Sequence, residues 1–258
     1  MINLKLYREK ADQPRLQGEV NTAWYQQHHA RFGERVSLNY ASKRLFVDFM
    51  YKLGHGSQYD VTDEEARNSQ TGGSVYNLRT HEVKHSWGHD HNYRLGIDYE
   101  WGRGHSMSMV YTGSYDDDKL HQDVSGTIRS DFQIDYARHL HNLRWDYRLP
   151  FGLSAGVEYT FYKTPETQLL NSTLPTGNLA YRVENVQCIN RWKMFLAQEH
   201  GLRGGWRLNY GATYTTSSDH SSQHYAGIGS WWGGMPPADE EVRQHEDNVN
   251  VYVGASRQ

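Results

Sequence analysis

From Tyr93 onward the chain alternates: Leu95, Ile97, Tyr99 and Trp101 fall at one parity, and Arg94, Asp98 and Glu100 at the other. A Gly102-Arg103-Gly104 break follows, after which Met107, Met109 and Tyr111 alternate with Ser106, Ser108 and Val110. A strand sends successive side chains to opposite faces, so this period of two predicts a hairpin in a sheet that divides two environments. The form recurs. Val36, Leu38 and Tyr40 precede Ser42, and Leu45, Val47, Phe49 and Tyr51 follow it. Leu143, Trp145, Tyr147 and Leu149 lead into Pro150, and Leu153, Ala155, Val157, Tyr159 and Phe161 lead out. Trp206, Leu208, Tyr210, Ala212 and Tyr214 oppose Arg207, Asn209, Gly211 and Thr213. Tight turns are predicted near 41–43, 102–104, 150–152 and 201–204, with Gly or Pro supplying the backbone geometry in three of them.

At the other end of each hairpin, 54–73, 115–125, 164–177 and 216–239 are polar and rich in Ser, Asp, Gly and Pro. They predict long loops, which compact soluble domains seldom carry. Strand-like sequence also extends upstream of Tyr93, His139 and Asn185, beyond the roughly 9–11 residues that cross a bilayer core. Those extensions predict sheet projecting past a membrane. Counting weaker runs at 2–7, 18–25 and 247–253, the expectation is about eleven antiparallel strands in an all-β fold over 1–258. Short turns on one side and long connections on the other are the habit of a transmembrane β-barrel, and barrels of one chain usually close with even counts. About eleven strands therefore predict part of a larger barrel, of roughly 22 strands, as one domain.

Composition agrees without deciding. Mean hydropathy is −0.86, and no apolar run reaches the roughly 18 residues of a spanning helix; only one face of a barrel strand meets lipid, so this does not argue against a membrane. The 19 Tyr and 8 Trp suit interfacial girdles. A formal net charge of −3 gives no nucleic-acid footprint, and the one cysteine, Cys188, permits no internal disulfide. MINLKLYREK contains no signal-peptide h-region.

The runs HNYRLGIDYEW, HNLRWDYRLPFGLSAGVEYTFY and RWKMFLAQEHGLRGGWRLNYGATYTTSSDHSSQ resemble the outer-membrane β-barrel family of Bacteroidetes related to TonB-dependent receptors, most strongly from about 93 to 225. The resemblance implies an outer-membrane receptor or transporter component that moves or binds a solute at the cell surface. It also implies lipid, a plug and remaining barrel strands as partners, with energy relayed by a TonB system through that plug. Signal peptide, plug and terminal strands are absent from this sequence, which reads as the barrel part of such a protein. No cofactor, catalytic residue or nucleic-acid partner is expected.

One motif argues for different chemistry. His81-Glu82-Val83-Lys84-His85-Ser86-Trp87-Gly88-His89-Asp90-His91 fits H-E-x-x-H-x-x-G-x-x-H. In a metzincin-like zinc endopeptidase, His81, His85 and His91 would bind metal and Glu82 would act as base. That chemistry requires a helix, and Thr80, Val83, Ser86 and Trp87 give no clean apolar stripe. As a strand, His81, Val83, His85, Trp87, His89, His91 and Tyr93 continue the parity of Leu95. The strand is the expectation, and the protease the alternative. A soluble carbohydrate-binding β-sandwich is a second alternative, one that should show shorter strands and polar outer faces.

The lipid-facing set is expected to be Leu95, Ile97, Tyr99, Trp101, Trp145, Tyr147, Val157, Trp206 and Leu208. Arg144, Asp146, Arg148, Glu158 and Arg207 would face a lumen, chiefly bonding one another and water. Trp231 and Trp232, in a Gly-rich stretch beside Met235-Pro236-Pro237, are a candidate surface contact for a ligand. The acidic runs 63–65, 116–118 and 239–241 are expected at solvated loop tips.

Overall fold

A computed structural model of the chain describes residues 13–71, 74–102, 104–174, 177–230 and 238–257. Ten strands make one sheet in the order of the chain, each pairing antiparallel with the next. They are β1 (Arg15–Gln26), β2 (Ala30–Ala41), β3 (Leu45–Thr71), β4 (Ser74–Gly102) and β5 (His105–Gly126), then β6 (Arg129–Arg148), β7 (Leu153–Leu174), β8 (Gly177–Gly201), β9 (Trp206–Ser230) and β10 (Glu240–Arg257). The all-β antiparallel expectation holds. The weaker runs at 18–25 and 247–253 lie in β1 and β10, while the strand expected at 2–7 falls outside the described residues.

The tight turns stand where alternation breaks. Ser42 closes the first, its amide donating to the Leu45 carbonyl at 2.8 Å while its hydroxyl accepts from the Leu45 amide at 3.1 Å. In the Pro150-Phe151-Gly152 turn the Gly152 amide reaches the Leu149 carbonyl at 3.2 Å, with φ at 86°. That left-handed backbone suits glycine, and a Cβ there would crowd the Glu199 carbonyl.

The opposite ends correct an expectation. Residues 54–71, 115–126, 164–174 and 216–230, expected in long loops, are the upper halves of β3, β5, β7 and β9. They pair with the strand extensions foreseen upstream of Tyr93, His139 and Asn185, so each presumed loop supplies the missing partner of a projecting strand. The strands are consequently long. β4 has 29 residues, nearly three times what a tilted crossing of a bilayer core uses, about 9–11.

No second layer covers this sheet among the described residues. Val183, 2 % exposed, is the buried apolar residue and Asp116, 4 % exposed, the buried charged one. A sandwich would stack two sheets about 10 Å apart and bury an inner face of each; the single ten-stranded sheet overturns that alternative. β1 and β10 are its open edges, as in a portion of a barrel.

Candidate functional site

Antiparallel partners point to the same face, so the register converts strand parity into rows that run across the sheet. The row through Ile97 reads Tyr40, Val47, Ile97, Met109, Trp145, Val157, Met194, Tyr214 and Val249 from β2 to β10. One row nearer the tight turns come Leu45, Tyr99, Met107, Tyr147, Ala155, Leu196, Ala212 and Val251. All nine residues expected to face lipid lie on this Leu95 face. Its large apolar side chains are uncovered: Trp145 is 37 % exposed, Met194 45 % and Val251 74 %. Rings join across it, with Trp101 against Tyr99 at 4.8 Å and Tyr147 at 5.9 Å.

The other face at the same height is polar. One row there reads Asp48, Gly96, Val110, Arg144, Glu158, Lys193, Thr215 and Asn248. Its charges pair among themselves. Arg94 Nε donates to Asp48 at 2.8 Å, Arg144 Nε to Asp146 at 2.7 Å, Asn142 to Glu158 at 3.3 Å, and Arg207 to Glu199 at 3.4 Å. Arg144, Asp146, Arg148, Glu158 and Arg207 share this face, as expected. A feature hidden in the sequence is the repeated opposition of glycine and aspartate: Gly96 with Asp48, Gly54 with Asp90, Gly88 with Asp118 and Gly156 with Asp146. Each carboxylate occupies the space a Cβ on its glycine would need. The acids therefore lie flat along the wall, where arginines reach them. Nothing in local sequence marks these pairs, because they exist only once the register is set.

Higher up, polarity changes sides. On the Arg94 face the rows become Leu120, Ile134, Gln168, Val183 and Tyr225, then Gln122, Phe132, Leu170 and Tyr181. On the Leu95 face the same height carries Lys119, Asp135, Thr167, Glu184 and His224, then His121, Gln133, Leu169 and Arg182. Burial among these apolar neighbours raises the Tyr181 phenol above its ordinary value. At the changeover Asp116, expected at a solvated loop tip, lies inside β5 and accepts from Arg138 Nε at 2.6 Å. That hydrogen bond raises the Arg138 guanidinium further. Residues 63–65 are likewise within β3; Asp239 lies just before β10, while Glu240 and Glu241 begin it.

The HEVKHSWGHDH segment lies wholly in β4, which overturns the protease alternative. Extended chain separates His81 from His85 by about 13 Å, too far to share a zinc ion. Each histidine is engaged elsewhere: His81 Nδ1 with Asp63 at 2.6 Å, His85 stacked on His29 at 5.1 Å, and His91 Nδ1 with the Tyr51 phenol at 2.8 Å. A group the motif did not indicate does cluster. His121, Asp123 and Asp131 bring one ligand atom each within 4.8 Å of the others, near the β5–β6 tip. His121 Nε2 is 2.9 Å from Asp131 and 3.6 Å from Asp123, and the Asp131 hydrogen bond raises the imidazole above its ordinary value. A protonated ring therefore balances the two carboxylates, which face each other across the strands. Trp231 and Trp232 lie outside the described residues.

Comparison with known proteins gives one fold-level likeness. No family model matches the chain, and no curated protein is similar to it. Among solved structures, the ferric yersiniabactin uptake receptor FyuA from Yersinia pestis superimposes with a TM-score of 0.51 at 12 % identity. The superposition covers 88 % of this chain and 35 % of that receptor, so the chain spans about a third of its length. At that identity the likeness shows the fold: an open antiparallel sheet with the form of part of a receptor barrel.

Proposed function

We propose that the chain is the barrel portion of an outer-membrane receptor of the TonB-dependent kind, in which a solute bound at the cell surface passes a gated lumen. The observation that carries this reading is the exchange of polarity between faces part-way up a single sheet. An apolar Leu95 face about ten residues tall, from Tyr93 to Gly102, matches the 9–11 residues of a tilted strand crossing hydrocarbon. Above it, the same face turns polar, as water outside the cell demands, and the Arg94 face turns apolar. The tight turns then lie in the periplasm and the projecting hairpins outside, with Leu95, Ile97, Tyr99, Trp101, Trp145, Tyr147, Val157, Trp206 and Leu208 against lipid.

In this reading the paired charges of the Arg94 face line the lumen. The apolar and aromatic patch of Leu120, Phe132, Ile134, Tyr181, Val183 and Tyr225 offers an internal surface to a solute with apolar parts. The uptake role in the name of the superimposable receptor, and the Bacteroidetes resemblance, support the same class. The open edges at β1 and β10 require further strands, and energy coupling requires a plug.

Depth-dependent quenching tests the assignment. In a Cys188→Ser background, Ile97→Cys and Ser108→Cys are labelled in turn with a small fluorophore in bilayers containing brominated lipid. Quenching at 97 and none at 108 is expected; equal quenching, or a chain that stays soluble without lipid, refutes the reading.

A further inference from the structure

The two rows just above the apolar belt are unusual in what replaces indole. The upper reads Leu53, His91, Tyr115, His139, Lys163 and Cys188; the lower includes Tyr51, Tyr93, His141 and Phe161. Rings run edge to edge across β3–β7: Tyr51 to His91 at 6.1 Å, His91 to Tyr115 at 5.8 Å, Tyr115 to His139 at 4.8 Å, and Tyr111 to His141 at 6.2 Å. Phenols hold the Nδ1 atoms, Tyr51 at 2.8 Å from His91 and Tyr111 at 2.9 Å from His141. A phenol that donates into Nδ1 leaves the ring's proton on Nε2, which then donates to a partner beyond the sheet. Lys163, exposed, adds a fixed positive charge to the row. The acids nearest in register on this face are Glu34, two strands away in the upper row, and Asp117, one row higher.

Membrane girdles ordinarily present Trp and Tyr, whose polar tips meet headgroups of any charge. Donors on His91, His139 and His141 with the Lys163 ammonium make this stretch selective for an anion with several acceptor oxygens. Its height, one row beyond hydrocarbon on the external side, fixes where that anion resides. We propose that the His91–His139–Lys163 band docks the phosphate groups of outer-leaflet lipid headgroups and so seats the barrel against a phosphorylated lipid. This rests on the membrane reading above.

The test places the full chain in bilayers containing either a bisphosphorylated glucosamine-disaccharide lipid or the same lipid without phosphates, and counts lipid retained after mild detergent extraction by native mass spectrometry. The phosphorylated lipid should be retained about tenfold more, a difference near 1.4 kcal/mol. His91→Gln/His139→Gln/Lys163→Gln should lose that preference, and Lys43→Gln at the opposite end should keep it. Lys163→Gln alone, expected to lose part of it, serves if the triple variant fails to insert. Equal retention of both lipids, or a folded triple variant that keeps the preference, overturns the proposal. Displacement by an equal concentration of inorganic phosphate overturns it too, since a free anion would then suffice. Insertion without preference sinks the band alone, whereas failure to enter any bilayer sinks the membrane reading with it.

Discussion

Ile97→Arg places a charge on the Leu95 face, and its cost follows from height. Ile97 lies about four residues from Tyr93 and five from Gly102 along β4. A strand tilted 35–45° rises about 2.3–2.7 Å per residue across the membrane, so Ile97 sits about 10 Å below the upper boundary and about 12 Å above the turn. That is close to mid-height of an apolar band roughly 25 Å tall, where arginine costs about 2–4 kcal/mol. Its row partners, Val47 and Met109, offer no counter-charge. The folded-to-unfolded ratio should fall between about 30-fold and about 1000-fold. Ser108→Arg is the control at nearly the same height. Ser108 sits on the Arg94 face between Asp98 and Asp146, where a guanidinium gains acceptors, so its effect should stay within about 1 kcal/mol. Urea titration in bilayers, followed by tryptophan fluorescence, reads both midpoints. Equal losses, or a larger loss for Ser108→Arg, would refute the assignment of faces.

Higher on the same hairpins the preference should reverse: Leu120→Arg should cost about 1–3 kcal/mol and His121→Arg little, read by the same titration. Arg138→Ala leaves the Asp116 carboxylate, 4 % exposed, without its guanidinium; a loss of about 1–3 kcal/mol is expected, largely recovered by adding Asp116→Asn. The raised His121 imidazole gives a pH dependence of definite sign. Its pairing with Asp131 stabilises the β5–β6 tip fully below the ordinary value of 6.5 and is lost as pH rises through the raised folded value. Ring-proton titration by NMR should therefore show Asp131→Asn moving the His121 midpoint downward, and an unchanged midpoint would contradict the pairing.

Much of this was legible from parity. The run from His81 to Trp101 keeps one phase, and the structure keeps it as one strand, past a motif that spells a zinc helix. The turns were legible because Gly152 supplies a left-handed residue and the Ser42 hydroxyl closes its own hairpin. The presumed loops were misread because apolar residues there shift to the other parity. Met107, Met109 and Tyr111 are odd, whereas Leu120 and Val124, on the same strand, are even. Between them Asp116-Asp117-Asp118 imitates a solvated tip, although Asp116 is buried against Arg138. A search for one continuous phase sees disorder where the chain has changed surroundings. The glycine–aspartate pairs and the His121–Asp123–Asp131 cluster depend on which residues oppose each other across strands, which composition does not carry.

The shift of phase discriminates among causes more sharply than the apolar face alone. A second protein layer covering the sheet would follow the strands along their length and favour one parity throughout, as in a sandwich. Burial inside a larger soluble protein would make both parities apolar, as in doubly covered sheets. A slab of hydrocarbon does neither: its height is fixed, it touches one face only, and it ends while the strands continue. Beyond its edge the exposed face must satisfy water, and the face turned inward becomes the drier of the two. β5 contains the whole sequence of environments in 22 residues, from Met107 and Met109 on one side to Leu120 and Val124 on the other, with Asp116 at the crossing. The same exchange recurs in β6 from Trp145 to Ile134, and in β8 from Met194 to Val183. Because these strands are hydrogen-bonded in register, the exchanges fall at one height across the sheet, as a planar boundary requires.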